Sequence, residues 1–285
     1  MRPAAARACC LAAAFALAVG ACDRLPGFGS TPGFDKDQFD AALDPAVGGP
    51  DTCLVMQEAA SGREVYQYGA PSACNRPLPP CGTFQIPMTL TGLSDGKVKP
   101  DETWVWDGKV QPYKAWEHNM DLAAAWRSGA GWWFRKLALD IGPDRFRQQL
   151  SAMGYGQGEV VGRPDAFWMG PAAGGGLYLS THNQAVVLRK LARGALPTKP
   201  EAAQAVLALM ADATRGKTRL WDLGASCASI ADASRDVSWW VGRIQSPERD
   251  LVFALSIDSE NPLPGFEIRN RMLPILTRFG FLPAG

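Results

Sequence analysis

The strand-like segments of this sequence lie near its two ends, and helical periodicity fills the part between them. Residues 53–58 and 64–68 flank a polar turn, which predicts a β-hairpin. Residues 238–244 and 251–257 are apolar runs joined by a polar segment, which predicts a second, buried antiparallel hairpin. One sheet therefore has to be assembled from both ends of the chain, and we expect an α/β fold of the α+β type.

The middle of the chain is predicted to be helical. A helix is expected over residues 81–93, because the Ser-Asp-Gly-Lys turn at 94–97 would end it. Further helices are predicted over residues 122–141, 143–153, 180–192, 200–213 and 266–279. We therefore expect a single folded domain over residues 51–285, with a helical insertion over roughly 98–215.

The charge balance argues against nucleic-acid binding. The chain of 285 residues carries 29 Lys and Arg against 28 Asp and Glu, a formal charge of +1. Such a chain has no net field to attract a polyanion. Its apolar fraction of 47% instead suits an ordinary globular domain with a sizeable core.

The N-terminal segment predicts export. Arg2 and Arg7 precede an apolar run over residues 8–19, which is too short to span a bilayer. Small residues then lead to Cys22, which resembles a bacterial lipobox. We predict a lipoprotein signal peptide over residues 1–21, lipidation of Cys22, and a tether over 22–50. The protein would then lie on the periplasmic face of a membrane, and Asp23 favours the inner membrane. A simple secretory signal with a chance cysteine is the alternative.

Four cysteines remain once Cys9, Cys10 and Cys22 are set aside. An even number in an oxidising compartment predicts two disulfides, but four cysteines allow three pairings. The four are Cys53, Cys74, Cys81 and Cys227. The first predicted hairpin brings Cys53 towards Cys74, which would leave the other two as the second pair.

Several motifs, in this order and spacing, resemble the class D serine β-lactamases and their sensor-domain relatives. The motifs are Thr83-Phe84-x-Ile86-Pro87, Trp106-Asp107-Gly108-Lys109, Trp116-x-His118-x-Met120, Tyr155-Gly156, Phe167-Trp168 and Trp239-Trp240-Val241-Gly242. The resemblance spans about residues 51–283. It implies a penicillin-recognising domain, in which helices flank a five-stranded antiparallel sheet and a helical subdomain is inserted. The active site of that family lies in the cleft between the two parts.

The family's chemistry requires a serine nucleophile and a carbamylated lysine three residues later, on one face of a helix. The resemblance places Gly82 at the serine position and Gln85 at the lysine position. Glycine offers no nucleophile, and a glutamine amide cannot act as a general base near neutral pH.

Two further family positions also differ. The second serine, in a Ser-x-Val motif, is matched by Gly129. The lysine of the Lys-Thr-Gly strand is matched by Asp222, which would repel the carboxylate that lysine attracts. A carboxylate-binding arginine of the family is matched by Arg269 or Arg271. The resemblance also implies that a ligand cleft would be lined by Thr83, Trp168, Leu223, Gly224 and Ala225, with a longer glycine-rich segment at 170–176 reshaping its mouth.

These positions favour a catalytically inactive member that binds noncovalently. Its expected partner is a cell-envelope ligand, such as a peptidoglycan fragment, or an envelope protein. One alternative is an active β-lactam hydrolase or transpeptidase-like acyl-enzyme with an unrecognised nucleophile, such as Thr83 or Ser94. Another is a redox or scaffold role of Cys81 and Cys227. No cofactor is expected, and neither His118 nor His182 has the ligand spacing of a zinc site.

Overall fold

A five-stranded antiparallel sheet forms the centre of the molecule. The computed structural model describes residues 34–212, 214–229, 235–261 and 263–283. The strands are β1 (Thr52–Glu58), β2 (Glu64–Tyr68), β3 (Arg219–Ser229), β4 (Arg235–Gln245) and β5 (Asp250–Ser259). They lie in the order β2-β1-β5-β4-β3, and each neighbouring pair is antiparallel. The predicted fold class and the assembly of the sheet from both ends of the chain are confirmed.

Helices cover both faces of this sheet. The helices are α1 (Lys36–Val47), α2 (Pro71–Cys74), α3 (Gln85–Ser94), α4 (Leu122–Ser128), α5 (Gly131–Ile141), α6 (Pro143–Met153), α7 (Thr181–Ala192), α8 (Pro200–Met210) and α9 (Gly265–Arg278). The prediction of a single helix over residues 122–141 is wrong. Gly129 has a φ of +63° and ends α4 in the left-handed region, so α5 starts afresh at Gly131.

The alternation of side chains along the strands gives the molecule two hydrophobic cores. Trp239 points into the core shared with the helical insertion, where Leu90, Trp133 and Phe167 are also buried. Its neighbour Trp240 points to the opposite face, into the core formed with α1 and α9. Because consecutive residues of a strand face opposite sides, one Trp-Trp pair anchors both layers.

The tether prediction is wrong for its last part, because α1 is a folded element. Asp35 caps this helix, its side chain accepting a hydrogen bond from the backbone N–H of Gln38 at 3.1 Å. Phe39, Leu43 and Val47 follow at four-residue intervals and are buried against the sheet and α9. The predicted signal peptide, Cys22 and the first part of the tether lie outside the described residues. Within the described residues, no helix has the length and apolar character needed to cross a bilayer.

Both disulfides join the pairs favoured above. Cys53 on β1 is bonded to Cys74 at the end of α2. Cys81 is bonded to Cys227 on β3, across 146 residues of sequence. The second bond fastens the segment before α3 directly to the edge strand of the sheet.

Candidate ligand-binding cleft

The segment that leads into α3 lies directly against β3. It forms a 3₁₀ turn over Cys81–Phe84, and Cys81 has a φ of +53°. A Cβ atom placed on Gly82 would lie only 2.9 Å from the Cβ of Ala225. That separation is shorter than carbon atoms tolerate without moving apart. Position 82 therefore has no room for a side chain while Ala225 stays in place.

Gln85, the first residue of α3, has its side chain directed towards the end of α4. Its side-chain nitrogen lies 3.9 Å from a Cβ atom placed on Gly129. Gln85 is 9% exposed, and its Oε1 atom has no hydrogen-bond partner among the described residues. The structure thus brings Gly82, Gln85 and Gly129 together, as the sequence resemblance implied. The amide oxygen of Gln85 is thus a buried acceptor without a partner among the described residues.

Thr83 and Trp168 support the wall of this cleft, and the expectation that they line it is not met. Thr83 is fully buried, and its hydroxyl donates to the carbonyl of Pro80 at 2.6 Å. Trp168 is 5% exposed and stacks on the ring of Phe84 at 5.3 Å. Its carbonyl accepts the N–H of Cys81. Both side chains are committed to the core, because helix α3 starts deep in the molecule.

Asp222 lies on the opposite face of β3 and does not meet a ligand in this cleft. Its carboxylate accepts hydrogen bonds from Trp240 Nε1 and Arg269 Nε, each at 2.7 Å. Arg269 also binds Asp212 at 2.5 Å. Burial raises the pKa of Asp222, against the lowering effects of Trp240 and Arg269. The prediction that Asp222 repels an anionic ligand is therefore wrong, because its carboxylate is paired with Arg269 beneath α9.

Strand alternation also divides the other predicted ligand residues. Gly224 faces α9, since a Cβ placed on it would lie 2.6 Å from the backbone of Gly265. Leu223 and Ala225 face the cleft side and are half-buried. Of the predicted lining, these two remain accessible on β3. The glycine-rich segment also contacts β3, through its 3₁₀ turn Pro171–Ala173.

A groove of about 460 Å³ lies between α4 and α8. From α4 it is lined by Leu122, Ala123 and Arg127. The remaining lining is Pro100, three residues of α8 (Ala205, Ala208 and Leu209) and Ala211, which follows that helix. Arg127 stands two residues before Gly129, so the groove and the cleft share the end of one helix. Its volume is within the range of small-molecule sites.

The alternative nucleophile Ser94 lies at the far end of α3 from Gly82. Its hydroxyl oxygen accepts the backbone N–H of Lys199 at 3.1 Å, and Lys97 is exposed.

The two histidines lie apart from each other and from the cleft residues. His182 forms a hydrogen bond with Glu64 at 3.0 Å, and His118 is exposed. Across the described ranges, no cluster of three His, Cys, Asp or Glu side chains is arranged to hold a metal ion.

Some residues around the cleft were not found from the sequence. The ion pair between Arg269 and Asp212 joins positions 57 residues apart, so it cannot be predicted from a local sequence pattern. The contact between Gly82 and Ala225 depends on the packing of a turn against a strand. By contrast, the burial of α1 had a signal in the spacing of Phe39, Leu43 and Val47.

Three comparisons with known proteins agree with this architecture. Residues 52–272 match the family model described as the penicillin binding protein transpeptidase domain. "Beta-lactamase OXA-20" of Pseudomonas aeruginosa is 30% identical over 212 residues, which are 74% of this chain and 75% of that protein. "Regulatory protein BlaR1" of Bacillus licheniformis is 27% identical over 207 residues, 72% of this chain and 33% of that protein. A class D β-lactamase from Bacillus subtilis superposes with a TM-score of 0.74 at 23% identity, over 88% of this chain and all of that one.

Proposed function

We propose that this chain, which belongs to the penicillin-binding protein transpeptidase family, is a catalytically inactive member. In this proposal it binds a cell-envelope ligand noncovalently. The observation that carries the proposal is the packing of Gly82 on Ala225 beside the buried amide of Gln85. Acyl transfer by this family needs a hydroxyl and a base at those two positions, and the chain supplies neither there. Donors that would stabilise an oxyanion have no effect until a nucleophile attacks.

The other described hydroxyls that were candidates do not replace the missing group. Thr83 donates its proton to the Pro80 carbonyl within the core, and Ser94 lies at the other end of α3. A nucleophile has to lie within hydrogen-bond reach of its base and of the bound substrate. Neither position meets that condition.

The proposed ligand is a peptidoglycan fragment or an envelope protein. Export through residues 1–21 and lipidation at Cys22 would place the domain at the periplasmic face of a membrane, where such partners occur. Recognition would then use the half-buried Leu223 and Ala225 of β3, the two members of the predicted lining that remain accessible.

The decisive experiment incubates the purified protein with a fluorescent penicillin and measures its intact mass. We expect no mass increase and no turnover of a chromogenic cephalosporin. A stable adduct or sustained turnover would overturn the proposal. In that event, Thr83→Ala and Ser94→Ala would identify which hydroxyl reacts.

A gain-of-function variant tests the same reasoning from the other side. Gly82→Ser combined with Gln85→Lys restores the nucleophile and base by residue type. We expect slow acylation at most, because Gly129 still lacks a relaying hydroxyl and Ala225 crowds the new serine. Rapid hydrolysis by this double variant would mean that the remaining cleft is competent and that only two side chains are missing.

A further inference from the structure

We propose that the ligand of the cleft extends onto an aromatic–cationic surface formed by Tyr113, Trp116 and Arg135, and that this surface binds a carboxylate-bearing amino-sugar glycan. This inference rests on the proposed noncovalent function. It adds a second contact area and a chemical class of ligand.

The rings of this surface are held in place before any ligand arrives. The indole N–H of Trp116 donates to the carbonyl of Ser128 at 2.9 Å, and Trp132 Nε1 donates to the carbonyl of Trp116 at 2.8 Å. The ring of Tyr113 meets that of Trp116 edge to face, with centroids 4.9 Å apart. Tyr113 is nevertheless 62% exposed. The half-buried ring of Trp116 is already fixed by these hydrogen bonds, so it loses little conformational entropy on binding.

The surface is continuous with the cleft through the link between α4 and α5. A Cβ atom placed on Gly131 would lie 3.1 Å from the six-membered ring of Trp116. Gly129, two residues earlier, faces the side chain of Gln85. Only the short link from Gly129 to Gly131 therefore separates the side chain of Gln85 from the ring of Trp116, which places the surface at the edge of the cleft.

Arg135 supplies an uncompensated positive charge at the same place. One of its terminal nitrogens lies 3.6 Å from the Cβ position of Gly131, beside the Trp116 ring. Arg135 is exposed, and it forms no ion pair within the ranges that the structure describes. The nearby lysines differ, since Lys114 is paired with Glu117 and Lys109 with Asp107. The guanidinium therefore suits a carboxylate on the ligand.

The chemistry of this surface fits a saccharide. A pyranose ring presents C–H groups on one face, which pack on aromatic rings, and hydroxyls at its edge. An anionic membrane is the competing occupant, because Val105 and Val110 nearby are 73% and 88% exposed. However, Lys109 and Lys114 are paired with acidic residues, and Lys136 lies over the ring of Trp104 with its nitrogen 3.8 Å from the ring centroid, so few cations here are left for such a surface. The aromatic pair with one free guanidinium favours the glycan.

Isothermal titration calorimetry with two defined probes tests this inference. The first probe is the disaccharide of N-acetylglucosamine and N-acetylmuramic acid without a peptide, so that the lactyl group carries a free carboxylate, and the second is neutral chitotetraose. We expect the full chain to bind the first probe more tightly. Tyr113→Ala should weaken that binding about tenfold. Arg135→Gln should weaken it similarly and remove the preference over chitotetraose. Phe266→Ala is the matched control, because this aromatic residue is 66% exposed on α9, and it should bind as the parent does.

Each opposing result has a defined meaning. The inference is overturned if the parent binds neither probe, or if Tyr113→Ala binds the first probe with the parent's affinity. It is also overturned if the parent sediments with vesicles of phosphatidylglycerol and phosphatidylethanolamine and Tyr113→Ala abolishes that association, since the surface then meets a membrane. These results leave the penicillin experiment untouched, because acylation is read from the mass of the protein.

Discussion

At the scale of single residues, the contact between Gly82 and Ala225 governs the cleft. The Cys81–Cys227 disulfide fixes the turn to the strand one residue before Gly82 and two residues after Ala225. Neither backbone can therefore withdraw easily to make room for a side chain. The turn can pack closely against β3 at this point because position 82 has no side chain.

Gly82→Ser should therefore destabilise the protein. Its new Cβ would overlap that of Ala225, and overpacking of this kind costs about 1–3 kcal/mol. Urea denaturation measures the change, and Gly82→Ser with Ala225→Gly should recover most of the loss. A single variant as stable as the parent would show that the turn moves freely.

Gln85→Met should have the opposite effect on stability. Gln85 Oε1 is buried without a partner among the described residues, and replacing such a group with an apolar side chain of similar size removes its desolvation cost of about 1 kcal/mol. The matched control is Gln149→Met, because Gln149 is also buried, at 3% exposed, but donates to the Pro197 carbonyl at 2.7 Å. We expect an increase in the free energy of unfolding for the first variant and a decrease for the second. Equal losses would mean that Gln85 has a partner in solution.

At the scale of elements, an ion pair at the end of α3 joins this helix to α6 of the helical insertion. Asp95, the C-cap of α3, accepts two hydrogen bonds from Arg145 on α6, at 2.7 and 2.8 Å. These hydrogen bonds and the guanidinium charge lower the pKa of Asp95. The folded state therefore holds the carboxyl proton less tightly than the unfolded chain does. Its stabilising effect is full at neutral pH and is lost as the pH falls below the ordinary Asp value of 3.8.

Asp95→Asn should lower the free energy of unfolding by about 1 kcal/mol at pH 7. The difference from the parent should shrink as the pH falls through 4 towards the lowered pKa. Chemical denaturation at several pH values measures it. Asp144→Asn is the comparison, since Asp144 pairs with Arg147 on the same helix while 92% exposed, and its effect at pH 7 should be the smaller of the two. If Asp95→Asn lowers the free energy of unfolding by the same amount at every pH, Asp95 stabilises the helix end by its shape and not by its charge.

At the scale of the whole molecule, the two disulfides constrain very different lengths of chain. Cys53–Cys74 closes 21 residues of separation, and Cys81–Cys227 closes 146, with all four cysteines buried. In the chain-entropy model, these bonds stabilise by roughly 3 and roughly 5 kcal/mol. Replacing both Cys81 and Cys227 with alanine should therefore lower the midpoint of urea denaturation more than replacing both Cys53 and Cys74 with alanine. Equal losses would indicate that the unfolded chain is already compact around the insertion.

The sequence determined the order and type of most elements. Apolar periodicity marked both hairpins and the helices α6, α7 and α9, because burial of one face leaves a local imprint on the chain. It also placed Gly82, Gln85 and Gly129 together, through motifs that span the domain. The break at Gly129 between α4 and α5 was missed, because apolar spacing continued across it and the positive φ of one glycine outweighed that spacing.

Only the tertiary structure decided which way the side chains of β3 point. Asp222 and Gly224 face α9, whereas Leu223 and Ala225 face the turn at Gly82. Strand alternation divides these residues into two sets, but the packing of distant helices decides which set meets the cleft. The pairing of Asp222 with Arg269 joins positions 47 residues apart. Such long-range contacts fix the charge and shape of the site, and local sequence pattern carries no record of them.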